Sequence, residues 1–572
     1  KNNLCFMADD GSNTDGFMTE HMEFADQLAG YVESEHPEFL VNKLYYDAYK
    51  KDMTAGTYPD VRSGLQKLLK DGLLLFNYTG HGGTTALSDE KVLTQTDINQ
   101  FTYTHLPVWV TATCDFTRFD DLNTSAGEDV FLNKSSGGIA LFTTVRVAYS
   151  RPNFPINDNV IRNLFERNNG RRRTLGEVMQ ATKNTLSSVY KLGFCLIGDP
   201  AVKMAYPEFG MKVTTVNGQS VDGNSISFKA LEKITVEGEV LDASGQLVTD
   251  FTGIVNPTVK DSKVTVTCLK NSNKDDSPAF TFTDYPNTIF IGNDSVRNGK
   301  FSFTFTVPKD ISYSNLQGKM NLYAVDTESG NEAQGNFDNF IVGGTSDTAE
   351  TDTIGPEIRA LYLNDTTFVD GGQVNTTPYF VAELWDKSGV NITGSSVGHD
   401  MMLVIDESTV LSYNLNSYYE LLPGEEGTGI VKFPIPALEP GKHTAEFWVW
   451  DILNNSTVRT FTFEVVEGLK PFLFDVIATP GIAREQVTFH LMHNRPESRM
   501  RVGIMVYDLA GRQLWKHEES GTSGLFENYT VSWDLTSGGA RMRPGVYIYR
   551  AAISTDNSKD ATKARKFIIL GE

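Results

Sequence analysis

Cysteine is scarce in this chain: Cys5, Cys114, Cys195 and Cys268 are the only four in 572 residues. None belongs to a CxxC pair and no spacing repeats, which argues against a zinc ribbon or a dense disulfide framework. Cys5, Cys195 and Cys268 sit in apolar or β-branched runs and read as small core residues. Long apolar runs are missing as well, since no stretch approaches the roughly 18 residues of a membrane helix. Basic residues are outnumbered, 50 against 72 acidic ones, for a net charge of −22. That balance argues against nucleic acid or an anionic lipid surface as partner. His399, His443, His490 and His493 are scattered and lack metal-ligand spacing, so no metal site is expected among them. A signal peptide is also missing: Lys1 leads straight into LCFMADDG, which reads as a buried strand and its exit loop. Material upstream of residue 1 is therefore expected.

What is present exceeds one core, and a chain of this length is expected to hold about three to five domains. Residues 1–207 alternate strand and helix. LCFMA, LLLFNYTG, VWVTAT and IALFTTV read as strands. Thr19 to Ser34 carries Met22, Ala25, Leu28, Ala29 and Val32, a helical stripe. Further helices are expected over Val61–Leu69, Asp97–Phe101, Ser125–Leu132, Asn157–Phe165 and Leu175–Leu186. Near-continuous apolar strands alternating with helices imply a mostly parallel sheet covered on both faces. Ligand sites in such sheets lie beyond the carboxyl ends of the strands. Asp10, His81 and Cys114 all follow such ends.

After Pro207 helical periodicity fades, and short alternating strands such as ITVEGEV, KFSFTFTV and MNLYAV appear between Gly, Asn and Asp turns. That is the pattern of β-sandwich modules. The expected domains are 1–207, α/β; 208–345, a β-sandwich module; 354–467, an immunoglobulin-like β-module; and 468–572, a last β-domain. The polar run GGTSDTAETDT, 343–353, reads as the linker between the first two β-modules.

A thiolate is the reactive form of cysteine and needs a base to form near neutral pH. His81 and Cys114, delivered by successive strand ends, suit that pairing. Glycines at 80, 82 and 83 let the backbone turn and a substrate carbonyl approach. The amides of Gly82 and Cys114 are then expected oxyanion donors, each typically worth about 3–4 kcal/mol of barrier. Asp10 is the candidate to orient the far nitrogen of His81. Less pointed readings stand beside these: a cysteine after a strand is often inert, and GHGG is often only a turn. Arg171–Arg173 reads as a solvated helix start. Asp120, Asp121, Glu128 and Asp129 lack EF-hand spacing, so structural calcium is not predicted there and no cofactor is required.

NYTGHGG, TATCDF and LIGDPAVKM, in that order, resemble the gingipain-type cysteine peptidases over about residues 1–207. The resemblance implies a caspase-like α/β catalytic domain, with three all-β modules following it here, and a His81–Cys114 catalytic dyad. It places a third catalytic carboxylate at Asp10, and it sets Met18, just before HMEF, where arginine-specific members carry an acidic specificity residue. The tail motifs YDLAGR, SWDL, RPGVYIYR and KFIILGE resemble the C-terminal signal domain of Bacteroidetes type IX secretion cargo. Head and tail together resemble the sortase class of that system. The resemblance implies a cell-surface enzyme that removes C-terminal signal domains from secreted cargo proteins and joins the cargo to anionic lipopolysaccharide. It also implies attachment at the outer membrane through the β-barrel partner PorV, with no nucleic acid involved. A general secreted endopeptidase and a non-catalytic surface adhesin or scaffold are the alternatives.

Overall fold

The computed structural model describes residues 2–11, 19–134, 136–271, 278–346, 352–394, 398–422, 427–555 and 558–571. The chain divides into two compact units: Lys1–Val307 with Ile311–Ala349, and Pro308–Asp310 with Glu350–Glu572. The change of pattern near residue 208 falls inside the first unit. Of the expected linker, 347–351 lie outside the described residues.

The first unit opens with β1 (Asn3–Ala8), α1 (Glu20–Glu35), β2 (Leu40–Tyr45), α2 (Pro59–Asp71) and β3 (Leu75–Thr79). Three two-residue strands follow, β4 (Gly82–Gly83), β5 (Ala86–Leu87) and β6 (Leu93–Thr94), then α3 (Gln95–Gln100) and β7 (Val108–Ala112). Next come α4 (Ala126–Leu132), β8 (Ala140–Thr144), α5 (Ser150–Phe165), the hairpin β9 (Arg167–Asn168) and β10 (Arg171–Arg172), α6 (Leu175–Thr185) and β11 (Phe194–Ile197).

Six of the strands form one sheet in the order β11-β8-β7-β3-β1-β2. All its pairs are parallel except β11 with β8. Every residue of β3, β7 and β8 is buried, as a sheet covered on both faces requires. Successive β1 residues feed opposite cores. Leu4, Phe6 and Ala8 join the α1 and α5 side, while Cys5 and Met7 join the α2 side. The α1 stripe Met22, Ala25, Leu28, Ala29 and Val32 is the buried face of that helix. Capping boxes start α3 (Thr94 with Asp97), α4 (Ser125 with Glu128) and α6 (Thr174 with Glu177).

Two strands of this sheet are not evident from the sequence pattern. LVNKLY, which becomes β2, has a lysine in its middle; Lys43 is buried there against Asp26 at 2.9 Å and Glu33 at 3.4 Å. FCLI, which becomes β11, is only four residues long and precedes a Gly-Asp-Pro turn. Arg171 and Arg172 lie in a short strand rather than at a helix start. Arg171 pairs with Glu177, and the Arg172 guanidinium lies 4.2 Å from the Tyr206 ring centre.

The β part of the first unit holds a nine-stranded sheet. Its strand Phe209–Val216 pairs with Lys233–Leu241 and also, in parallel, with Glu332–Phe337. The sheet therefore closes on itself around Val236, Val255, Phe303 and Leu322. Alternation in the sequence reads equally as an open sandwich, because it carries no information on closure. One hairpin, Val264–Thr267 with Thr281–Asp284, leaves this body and joins the α/β core. Cys268 and Phe282 enter the cluster around Leu4 and Phe6, and Phe282 meets Tyr45 at 4.7 Å between ring centres. The Asp47 carboxylate accepts the amides of Asn271 at 2.7 Å and Lys270 at 2.9 Å.

The second unit contains two further pairs of sheets. A four-stranded and a five-stranded sheet enclose Phe380, Leu403, Val431 and Phe447. A three-stranded and a five-stranded sheet enclose Phe489, Ile504, Trp533 and Tyr549.

Candidate functional site

Parallel register sets the two catalytic candidates at neighbouring strand ends. Thr79, the last residue of β3, is the partner of Ala112, the last residue of β7. His81 and Cys114 each lie two residues further along neighbouring strands, whose backbones run about 4.8 Å apart. β1 sits on the other side of β3, with Ala8 opposite Thr79, so Asp9 and Asp10 leave the same sheet edge.

The two aspartates part company at once. Asp9 turns toward the His81 loop: its Oδ2 accepts the His81 amide at 2.6 Å and the Tyr78 hydroxyl at 3.3 Å. Its Oδ1 accepts His21 Nδ1–H at 2.5 Å. The His21 and His81 rings meet edge to face, with centres 4.9 Å apart. Burial pushes the Asp9 carboxyl up, but His21 and then His81 outweigh it and hold the group below the usual carboxylate range. Asp10 turns instead to Tyr58, whose hydroxyl donates to its Oδ2 at 2.6 Å, with Lys51 Nζ at 3.6 Å. Its other oxygen is buried without a hydrogen-bond partner.

The glycines of GHGG have a packing reason rather than a left-handed turn. A Cβ on Gly80 would lie 2.7 Å from the Asp9 carboxylate, and one on Gly82 would lie 2.5 Å from Thr113 Oγ1. Both loops thus approach backbone to side chain without room for a methyl group. Gly82 pairs with Leu87 across β4–β5, while the neighbouring pair exchanges the Ser88 amide to the His81 carbonyl at 2.8 Å. Antiparallel pairs alternate, so the Gly82 amide points away from β5, toward the open edge of β4.

Cys114 is half-buried on the loop after β7. Its thiol donates to the Ala148 carbonyl at 3.0 Å, and the Ala148 amide donates back to Sγ at 3.4 Å. Burial pushes the thiol up, the Ala148 contact lowers it in part, and Asp115 raises it. The resting group is therefore the thiol, and a base must take its proton to produce the nucleophile. Asp115 follows with φ of +47°, an uncommon backbone state for a residue with a side chain. Its amide donates to the Arg146 carbonyl at 3.3 Å, tying the turn to the loop after β8. Thr113 Oγ1 and Asp115 Oδ1, on either side of Cys114, are buried and unpartnered.

Met18 lies outside the described residues. Just after it, Glu20 is buried and engages Ser150 and, at 2.7 Å, Arg151 Nε at the start of α5. Neither Asp9 nor His21 is marked by the sequence. Two adjacent aspartates follow β1, and nothing in their order says which turns inward. His21 sits in HMEF, at the start of a helix whose stripe explains Met22 but is silent about position 21.

Among the described residues, two groups bring three metal-binding side chains together: Asp9, His21 and His81, and, in the second unit, Asp352, Asp386 and Asp451. The acids Asp120, Asp121, Glu128 and Asp129 do not converge. Asp120 pairs with Arg146 at 2.5 Å and Asp121 with Arg118 at 3.7 Å. Glu128 caps Ser125 at 2.7 Å, and Asp129 accepts from Gln95 at 2.7 Å. No helix among the described residues is long and apolar enough to cross a membrane.

The model of peptidase family C25 matches residues 1–205. No curated protein matches the chain. Among solved structures, dimeric latent PorU from Porphyromonas gingivalis is similar at 26% identity, covering 100% of this chain and 64% of that one, with a TM-score of 0.32. This chain thus spans just under two thirds of the length of that protein. The complex of the Porphyromonas gingivalis RgpB pro- and mature domains is similar at 17% identity, covering 59% of this chain and 68% of that one, with a TM-score of 0.30. Over residues 1–205 the chain is thus similar to peptidase family C25, the gingipain family of cysteine peptidases.

Proposed function

We propose that this protein is a surface cysteine peptidase with sortase-like activity, cutting C-terminal signal domains from type IX secretion cargo and passing the new carboxyl end to an amine of anionic lipopolysaccharide. The observation that carries the peptidase half is the register of β3 with β7, which puts His81 and Cys114 at neighbouring strand ends in a family C25 domain. The tail motifs near residues 507–570, with their likeness to the signal domain, support the processing half. In this reading His81 takes the Cys114 proton as the sulfur turns from the Ala148 carbonyl to the scissile carbonyl. Sulfur–carbon bond formation gives a tetrahedral oxyanion, held by the amides of Gly82 and Cys114. The imidazolium returns its proton to the leaving amine of the signal domain. Water or the acceptor amine then opens the thioester and regenerates the thiol.

The carboxylate assigned to stabilise the His81 imidazolium is Asp9, because it binds the His81 amide and lies beside its ring. Asp10 is left to support the Lys51–Tyr58 side of the same loop. Attachment at the outer membrane through PorV belongs to the same reading. The test is to incubate the protein with a cargo carrying its signal domain and an amine acceptor, and to weigh the cargo's new C-terminus. Cleaved cargo bearing the acceptor is expected, and none with Cys114→Ala. Cleavage at many internal sites, or cleavage that survives the substitution, would overturn the proposal.

A further inference from the structure

We propose that Asp9, His21 and His81 form a binding site for a zinc-class divalent metal that holds the peptidase in an inactive state. The ligand atoms of the three side chains lie within 4.8 Å of one another, and they come from three segments: the exit of β1, the first turn of α1 and the loop after β3. Two imidazoles and one carboxylate suit Zn²⁺, which takes nitrogen and oxygen ligands at about 2.0–2.2 Å in tetrahedral geometry. The set does not suit Ca²⁺ or Mg²⁺, whose ligands are oxygens.

The site is already held in shape. Asp9 is fixed by the His81 amide, with the Tyr78 hydroxyl 3.3 Å away, so its carboxylate already faces both histidines. His21 is 8% exposed and Asp9 1%, whereas His81 is half-buried, which leaves an approach from the solvent side. A metal entering here replaces the proton between His21 Nδ1 and Asp9 Oδ1, now 2.5 Å apart. Those atoms then separate to about 3.3 Å, the ligand spacing that tetrahedral bonds of about 2.0 Å impose. The His21 ring then carries its proton on Nε2 and gives Nδ1 to the metal.

The consequence follows from lone pairs. A His81 nitrogen committed to the metal is less available to take the Cys114 proton, and the Cys114 thiol is not the reactive form. Removing the metal restores the base, with no covalent change in the chain. The metal site rests on geometry alone; its effect on cleavage also rests on the cysteine-peptidase reading.

Binding is best measured on Cys114→Ala, which removes the thiol as a competing ligand and cannot turn over. Equilibrium dialysis of that protein against Zn²⁺ alone should retain one equivalent. His21→Gln and His81→Gln on the same background should each weaken binding by at least tenfold, and His81→Gln guards against a His21 variant that fails to fold. Co²⁺ in place of Zn²⁺ should give visible bands of a nitrogen–oxygen site without a thiolate charge-transfer band. No retained zinc, or affinity unchanged by either histidine substitution, overturns the proposal. In the active protein, zinc should abolish cleavage and a chelator should restore it. Zinc retained by Cys114→Ala without inhibition of the active protein would keep the site and overturn the inactive-state assignment. Because retention is read on an inactive variant, its failure leaves the peptidase reading untouched.

Discussion

Asp9 in the first unit and Asp386 in the second are both buried carboxylates, 1% and 3% exposed. Each leaves the end of a strand, each accepts backbone amides, and each belongs to a three-residue group able to gather round an ion. Their charge states diverge. At Asp9 burial is outweighed by His21 and His81, and the carboxyl stays ionised. At Asp386 burial is reinforced by Asp451 and Asp352, against the amides of Gly389 and Ser388, and the carboxyl is pushed up to about 6. Burial alone thus fixes neither group's ionisation; the sign of the neighbours does. Histidines around a carboxylate make a place where positive charge can be developed and held. Carboxylates around a carboxylate make a place that stores repulsion. Only the first is useful to a reaction that generates an imidazolium.

The largest effect expected from breaking this arrangement is at Asp9. Asp9→Asn keeps the shape but removes the charge opposite His81, and should lower kcat/KM by roughly 10³- to 10⁴-fold, as loss of the orienting carboxylate does in a serine peptidase triad. Asp10→Asn removes the neighbouring charge and should cost less than about tenfold, since Tyr58 and Lys51 are its partners. Rates on a fluorogenic peptide across pH would decide between them. Equal losses at the two positions would erase the distinction.

Much of the α/β fold is legible in the sequence. The sheet and its helices follow from apolar runs and helical stripes, and so does the placement of His81 and Cys114 just past neighbouring strand ends. The choice between Asp9 and Asp10 was not legible, because one residue of offset at a strand exit reverses the direction of a side chain while leaving composition unchanged. β2 hid because a lysine interrupts it, and Lys43 is tolerated inside only because Asp26 and Glu33 lie elsewhere in the chain. The hairpin 264–284 read as part of a β-module, and its insertion beside Phe6 and Tyr45 is a long-range event with no local signal. The closure of the nine-stranded sheet was hidden for the same reason: a parallel pair between Phe209 and Ala333 leaves no mark on either strand.

A half-buried group extends the comparison to a base. His493 in the last module is lowered to about 4, first by burial and then by Arg495. Its Nδ1 accepts the Arg495 amide at 3.0 Å and its Nε2 lies 2.8 Å from Ser523 Oγ, so the ring is held neutral. The unfolded chain binds its proton near pH 6.5, the folded one only near 4. Stability from this group is therefore present above pH 6.5 and lost as pH falls through 4, with a span on the order of 3 kcal/mol. Amide protection factors in the strands Val487–His493 and Tyr529–Trp533, taken against the intrinsic exchange rate at each pH, should fall over that window in the wild type. His493→Gln should flatten the dependence, and a pH-independent wild type would show that the ring is not held neutral.

The smallest effect is expected at Asp386, and its sign runs the other way. A carboxyl raised in the fold contributes stability that is fully present below the unfolded value of 3.8 and is lost as pH rises through about 6. At neutral pH the ionised group therefore burdens its module, by an amount on the order of 3 kcal/mol. Asp386→Asn keeps an oxygen for the amides of Ser388 and Gly389 at 2.7 and 2.9 Å while removing the charge that faces Asp451 and Asp352. In metal-free buffer it should slow hydrogen exchange in the strands Tyr379–Trp385 and Gly441–Trp450 at pH 7, with the gain shrinking toward zero below about pH 4. The matched change at Asp9 should do the opposite, because there a carboxylate held low by His21 and His81 stabilises the fold at neutral pH. Asparagine stabilising one site and destabilising the other would show that neighbouring charge, and not depth of burial, separates them. Destabilisation at both would mean that the oxygens of Asp386 matter more as acceptors than its charge does as a burden.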